Sequence, residues 1–200
     1  MRRVWVVVLL FLSGCSVLPD RSPGAAPTEY RLHAEVVERL DSDGPVLLVM
    51  PIRAVPGLDS RSILYLNEPH RAQGYRDARW VDTPARQLEP LLVAAAEGSG
   101  GFRAVVAGRG AGTGGADVLR LDSDLLALQQ EWLDGRDQVR IALRVTLSRP
   151  ASGQVVASHR LAQQVALNGV GAEAAVTAFN RALPALLETL GDWLVEQINE

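Results

Sequence analysis

The sequence contains no lysine, so all 20 of its basic residues are arginines. Its single cysteine excludes a disulfide-stapled scaffold and any zinc site built on several cysteines. The formal net charge of −3 provides no general basic surface for a nucleic-acid backbone. Apolar residues nevertheless make up 48% of the 200 residues, which is typical of a globular protein with a buried core. Composition thus excludes disordered, collagen-like and rod-like chains without naming a function.

No apolar run is long enough to cross a membrane as a helix, which takes about 20 residues. The longest run, 4–12, follows Met1-Arg2-Arg3 and is typical of a signal peptide. Leu12-Ser13-Gly14-Cys15 then resembles a bacterial lipobox. That resemblance implies cleavage after residue 14 and attachment of a diacylglycerol to the Cys15 sulfur. The alternative is an ordinary secretory peptide with a stray cysteine.

The segment after the signal peptide is predicted to be a tether. Residues 15–29 form the acylated N-terminus and a proline-containing linker without apolar periodicity. In the polyproline conformation the linker reaches about 30 Å. Ser16 follows the cysteine where an aspartate would retain a lipoprotein at the inner membrane. By analogy with lipoprotein sorting, we expect the outer membrane of a Gram-negative cell, with the domain facing the periplasm.

Residues 30–200 are predicted to form one compact α+β domain, with a largely antiparallel sheet packed by two main helices. Strict alternation over 138–149, continued less regularly over 155–167, predicts two strands of an antiparallel meander. Thr83 and Pro84 predict the start of a helix, and the glycines within 98–101 predict its end. The segment 171–198 is predicted to be an amphipathic helix that covers the core. Shorter strands are predicted at 30–32, 46–52, 62–66, 75–81 and 102–107.

The segment 117–132 is ambiguous from its own residues. Apolar side chains at 118, 121, 125, 128 and 132 keep helical spacing. Gly110, Gly112 and Gly115 before it satisfy G-x-G-x-x-G, but no strand ending in an acid follows where a dinucleotide fold needs one. We therefore interpret the glycines as a connecting loop and predict no cofactor.

The sequence contains only weak signals for catalytic or metal-binding residues. The three histidines His33, His70 and His159 lack metal-ligand spacing, and His159 is expected to be a core or rim residue. Asp122 and Asp124 would share one face of a strand but would diverge in a helix. No serine has the nucleophile-elbow pattern. The sequence therefore predicts no catalytic and no metal-binding residue, and no enzyme activity.

A family resemblance emerges from several short motifs after the tether. They are Tyr30-x-Leu32, Leu48-Val49-Met50-Pro51-Ile52, the run from Pro56-Gly57-Leu58-Asp59 to Tyr65, and Ala78-Arg79-Trp80 before a helix. Their order is similar to that of the ABC-type transport auxiliary lipoprotein family, the group containing paraquat-inducible protein C. The chain differs from the residues usual in the family at Gly57, Ser60 and 81–82.

The resemblance implies a strand at 117–132 and a domain without a known catalytic centre. It also implies a non-enzymatic outer-membrane component of an ABC- and MCE-type system that moves lipids or other hydrophobic compounds between membranes. The expected partners are a periplasmic MCE protein, the inner-membrane transporter and further copies of the chain. The alternatives are a periplasmic lipoprotein hydrolase and a structural lipoprotein of envelope assembly.

Overall fold

The computed structural model describes residues 26–36, 43–108, 115, 117–133 and 135–199. Within them, nine strands and two helices form one α+β domain, which confirms the predicted fold class. The strands are β1 (Thr28–Tyr30), β2 (Val46–Val49), β3 (Arg53–Ala54), β4 (Ser62–Glu68), β5 (Arg71–Trp80), β6 (Ala104–Ala107), β7 (Val118–Leu133), β8 (Arg136–Arg149) and β9 (Gln154–Ala166). The helices are α1 (Pro84–Gly98) and α2 (Gly171–Asn199).

Strand β7 organises the sheet. One of its edges pairs with β8 over nearly its whole length. Its other edge pairs in turn with β2, β3 and β4, all in parallel. Beyond β2 lies β6, and beyond β4 lie β5 and then β1. The sheet therefore divides into two arms on one side of β7, while β8 and β9 form the other side.

The long β7–β8 and β8–β9 pairs are antiparallel, as the alternating pattern predicted. Every other β8 side chain from Val139 to Leu147 is fully buried, whereas Arg140 and Arg144 lie on the opposite face. Both helices pack on the buried face, because α2 contacts β8 and β9 while α1 contacts β2, β6 and α2. Neither of the two described helices covers the other face of the β7–β8–β9 sheet, which we call the open face.

The segment 117–132, ambiguous from its own residues, is strand β7, so the helical alternative is wrong and the family-based expectation is confirmed. An irregularity between Leu125 and Ala127 explains the ambiguity. A bulge places one extra residue in a strand, so the side chains after it change face. Leu121, Leu125 and Leu128 can therefore all be buried at spacings of four and three residues.

Several element ends differ from the sequence-based expectations, and β5 begins four residues earlier than predicted, at Arg71. Strand β1 begins at Thr28, so Thr28 and Glu29, which we assigned to the tether, pair with β5. At the start of α1, Thr83 occupies the N-cap position but its side chain makes no capping hydrogen bond. Instead, the Thr83 backbone N–H donates to Asp82 Oδ1 at 2.7 Å, and Gln87 Nε2 donates to Asp82 O at 2.8 Å.

Candidate functional site

The predicted lipid-attachment residue Cys15 lies outside the described residues, as do the signal peptide and residues 15–25 of the tether. Lipidation therefore stays a prediction. Residues 109–114 of the glycine loop also lie outside, but the loop joins β6 to β7. A pyrophosphate site of the dinucleotide type requires a helix after the glycines, and here a strand follows.

The three histidines are all exposed and lie on different elements. His159 projects from β9, on the face covered by the helices, and its ring stacks on Trp193 with centroids 5.8 Å apart. That arrangement confirms His159 as a rim residue. Among the described residues, no group of three or more histidine, cysteine, aspartate or glutamate side chains could hold a metal ion.

Asp122 and Asp124 do share one face, the open face of the sheet, as predicted for a strand. Each is bound by an arginine. Arg120 donates two hydrogen bonds to Asp122, at 2.8 and 2.9 Å, and Arg53 Nε donates to Asp124 at 2.8 Å. Carboxylates engaged in this way serve as ion-pair partners on a solvated face.

Two open cavities border α1. The larger, about 740 Å³, lies beside the ends of β2 and β6, and Asp82 and Arg86 in its wall form an ion pair at 3.6 Å. The smaller, about 310 Å³, lies between α1 and α2 and contains the acidic side chains of Glu35, Glu188 and Asp192. No helix in the described ranges is long and apolar enough to cross a membrane.

The described segment 31–36 follows β1 and contacts both helices. The Leu32 N–H donates to Gln87 Oε1 of α1 at 3.0 Å, and the His33 N–H donates to Asn180 Oδ1 of α2 at 3.1 Å. Two backbone donors are thus satisfied by side chains from different helices. Hydrogen bonds to both helices thus hold the segment after β1 against the domain.

A polar and aromatic cluster lies where β7 ends and α2 begins. Tyr75 Oη donates to Gln130 Oε1 at 2.5 Å, and Gln130 Nε2 donates to Asp137 Oδ1 at 2.6 Å. The Tyr65 ring packs against Tyr75 with centroids 5.0 Å apart. Burial, reinforced by the charge of Asp137, raises the pKa of Tyr75, so this hydroxyl remains protonated and keeps donating at neutral pH.

The same region borders a cavity of about 290 Å³ beside β1, which Tyr30 and Tyr75 help to line. Thr28, where β1 begins, and Val170, just before α2, lie on its wall. We call Thr28, Tyr30, Tyr75, Trp132 and Val170 the N-terminal corner. Trp132 belongs to it because it follows Gln130 by two residues on β7 and pairs with Asp137.

Sequence reasoning missed this corner. Its members come from β1, β5, β7 and the loop before α2, and no local motif joins them. The one available signal was composition, because two of the chain's three tyrosines belong to the corner and the third, Tyr65, packs against Tyr75. Two of its apolar side chains are strongly exposed, Trp132 at 58% and Val170 at 89%.

A further open surface is the free edge of β9. Within the described part of the chain, β9 pairs only with β8 over 13 residues. Val155, near the β8–β9 turn, is 58% exposed. An unpaired strand edge offers backbone donors and acceptors to a partner strand.

The fold and these surfaces define a class: a single-domain α+β protein with one helical layer on a large, mostly antiparallel sheet. A family model for the ABC-type transport auxiliary lipoprotein component matches residues 30–191. The chain belongs to this family, which confirms the resemblance seen in the sequence.

Solved structures share the fold. A Xanthomonas campestris protein, XCC0632 of the DUF330 family, is 23% identical with a TM-score of 0.75, over 85% of this chain and 95% of that one. An uncharacterised protein is 15% identical with a TM-score of 0.65, over 84% and 99% of the two chains. The hypothetical protein CT253 from Chlamydia trachomatis is 7% identical with a TM-score of 0.57, over 78% and 98%. No curated protein matches the sequence.

Proposed function

We propose that the chain is a non-enzymatic outer-membrane lipoprotein, anchored at Cys15 and facing the periplasm, that serves an ABC- and MCE-type system transporting lipids or other hydrophobic compounds. The family match over residues 30–191 is the observation that carries the proposal. The lipobox at 12–15 supports the anchor. The domain is proposed to contact a periplasmic MCE protein that reaches it from the inner membrane.

The free edge of β9 is the surface we propose for that contact. Main-chain pairing at a strand edge provides affinity with little demand on side chains. Helix α2 reaches the edge at its far end, where Arg181 Nη2 donates to Ala166 O at 2.7 Å, so the proposed contact is the part of the edge that begins at Val155. Several copies of the chain acting together would multiply weak contacts through effective concentration.

The test is capture of the MCE protein encoded beside this chain by the full acylated protein. Val155→Asp places a charge at the exposed start of the β9 edge and is expected to weaken capture at least tenfold. Val81→Asp is the matched control, because Val81 is also exposed, at 42%, but lies beyond β5 on the opposite side of the sheet. The mass in solution, measured in parallel, reports self-association.

Failure to capture the MCE protein, together with turnover of a periplasmic ester or glycan, would favour a lipoprotein hydrolase instead. Equal loss of capture in both variants would support the MCE protein as the partner but would show that the β9 edge is not its contact surface.

A further inference from the structure

The direction of the strands shows from which end of the sheet the chain enters the domain. Strand β4 runs parallel to β7 and reaches its end, where Leu66 pairs with Glu131. Strand β5 turns back antiparallel to β4, and β1 runs parallel to β5. The chain therefore runs into β1 from the direction of the β4–β5 and β7–β8 turns, and β1 itself pairs with the last three residues of β5.

The N-terminal corner reaches from β1 towards that end, because Tyr75 lines the cavity beside β1 and binds Gln130 near the end of β7. Leu167 N–H donates to Asp137 O at 2.9 Å, opposite Trp132 in the pairing of β7 with β8. From there the loop crosses to the cavity by β1, where Val170 and Thr28 share one wall. Thr28 and Val170 thus border one cavity with Tyr75, and the Tyr75 hydroxyl binds Gln130, two residues before Trp132 on β7.

Trp132 is the only exposed tryptophan of the described residues, since Trp80 and Trp193 are buried. Tryptophan combines a large apolar ring with a polar N–H, and it is enriched where membranes meet water. Arg136, exposed at the start of β8, pairs across the turn with Leu133. An exposed aromatic, an exposed valine and a cationic side chain are together suited to a lipid headgroup layer.

We propose that the N-terminal corner is a membrane-contact surface, on which Trp132 and Val170 enter the headgroup region of the bilayer that holds the lipid anchor. The proposal rests on the lipid anchor of the proposed function. Ten residues, 16–25, separate Cys15 from the described chain, so the extended tether reaches only about 30 Å. The anchor supplies a high effective concentration, which makes a small, weak contact sufficient.

Such a contact orients the domain. The β8–β9 turn, the start of β9 and the C-terminal end of α2 lie at the other end of the sheet, where Gln197 and Ile198 approach Pro45 and Leu119. These parts would then point away from the membrane. The exposed start of the β9 edge would be presented to a partner arriving from the periplasm.

The experiment uses the acylated full-length protein in vesicles of phosphatidylethanolamine and phosphatidylglycerol, with a quencher attached to the lipid near the headgroup. The quenched signal is Trp132 emission, taken as the difference between the wild type and Trp132→Phe. The matched control is the double variant Trp132→Phe with Val155→Trp, because Val155 has the same 58% exposure at the opposite end. We expect Trp132 to be quenched at least threefold more than the tryptophan introduced at position 155.

A second pair of variants tests the neighbouring side chain. Val170→Asp is expected to reduce the quenching of Trp132 towards the level of the control position. Val155→Asp is expected to leave it unchanged. Both valines are exposed, so neither substitution disturbs packing in the core.

Equal quenching at the two ends, or none at either, would overturn the proposal. Protection of Trp132 only on addition of the MCE protein would also overturn it and assign the corner to that partner. Flotation of the vesicles distinguishes failure of the membrane-contact surface from failure of the proposed function. If the protein does not float with the vesicles, it lacks the anchor, and the proposed function is overturned as well. A chain that floats with Trp132 unquenched overturns only the membrane-contact surface.

Discussion

Trp80 is the largest fully buried side chain among the described residues, and it ends β5 against α2. Its ring meets Phe179 edge to face, with centroids 5.7 Å apart. Its indole Nε1 is buried without a hydrogen-bond partner in the described structure. Trp80 therefore contributes to the domain through the packing of its ring.

We predict that Trp80→Ala lowers the free energy of unfolding by about 3–5 kcal/mol, because it opens a large cavity. Trp80→Phe should cost less, since it keeps an aromatic ring near Phe179 and removes the unpaired N–H. Denaturant unfolding of both variants measures the difference. If the alanine variant unfolds like the wild type but no longer binds its partner, Trp80 belongs to an interface.

Glu29 joins the short edge strand β1 to its neighbours. It accepts hydrogen bonds from Arg79 Nη2 at 2.6 Å and from Arg61 Nη2 at 2.7 Å. These hydrogen bonds, from Arg79 first and Arg61 second, lower the pKa of Glu29 below its usual 4.5. Folding therefore favours the ionised carboxylate.

We predict that Glu29→Gln destabilises the domain at neutral pH and that the difference from the wild type disappears in acid. A lowered folded-state pKa contributes stability above the unfolded-state value, and this contribution is lost as the pH falls through the folded-state value. The difference should be constant above about pH 5 and shrink below pH 4.5. Thermal unfolding across pH measures it, with Glu35→Gln as the control; parallel behaviour of both variants would contradict the prediction.

At the scale of elements, two glycines permit close contacts of different kinds. Gly44, just before β2, lies against the backbone of the 100–102 loop, where an added Cβ would overlap with Gly101 O. Gly191 lies where α2 crosses α1, and an added Cβ would meet Ser99 Cβ at 3.4 Å and Ala95 O at 3.5 Å. The first position has no room, whereas the second has ordinary van der Waals contacts.

We predict that Gly44→Ala lowers the free energy of unfolding by about 1–3 kcal/mol, because the backbone of the facing loop must move. Gly191→Ala should be neutral or stabilising by up to about 1 kcal/mol, since alanine is the better helix former. Chemical denaturation of the two single variants compares them directly. A larger loss at Gly191 would show that the helices cross more tightly than the described contacts indicate.

At the scale of the whole molecule, the proposed anchor makes a prediction about location. Cys15→Ala should abolish palmitate incorporation and release the protein from the membrane fraction, because an acyl chain is held by the free energy of its buried methylene groups. Ser16→Asp should keep the acyl chains but retain the protein at the inner membrane, with Ser16→Thr as the control. Labelling and membrane fractionation measure both. A labelled, membrane-bound Cys15→Ala protein would show that the anchor lies elsewhere.

Much of the fold was readable from local pattern. The alternation at 138–149 marked β8 and its buried face, and the apolar stripe at 171–198 marked α2. Thr83-Pro84 marked the start of α1 even though the Thr83 side chain does not cap it. These features depend on which side of one element is apolar, and side-chain periodicity records that property directly.

Pairing between strands was decided by the tertiary structure. The parallel contacts of β7 with β2, β3 and β4 join segments far apart in sequence, and alternation carries no information about which strand lies beside which. The bulge at Leu125 mimicked helical spacing, so only the pairing with β8 identifies the segment as a strand. The N-terminal corner likewise depends on tertiary contacts, because β1 pairs with the end of β5 and the start of α2 borders the same cavity.

The sequence by itself therefore determined most of the elements and the family, because these are encoded in neighbouring residues. Only the tertiary structure decided the two arms of the sheet, the free edge of β9 and the meeting of Thr28, Tyr75 and Val170 at one cavity. The physical reason is that these features depend on long-range backbone hydrogen bonds. Those bonds are made by main-chain groups that every residue other than proline carries alike.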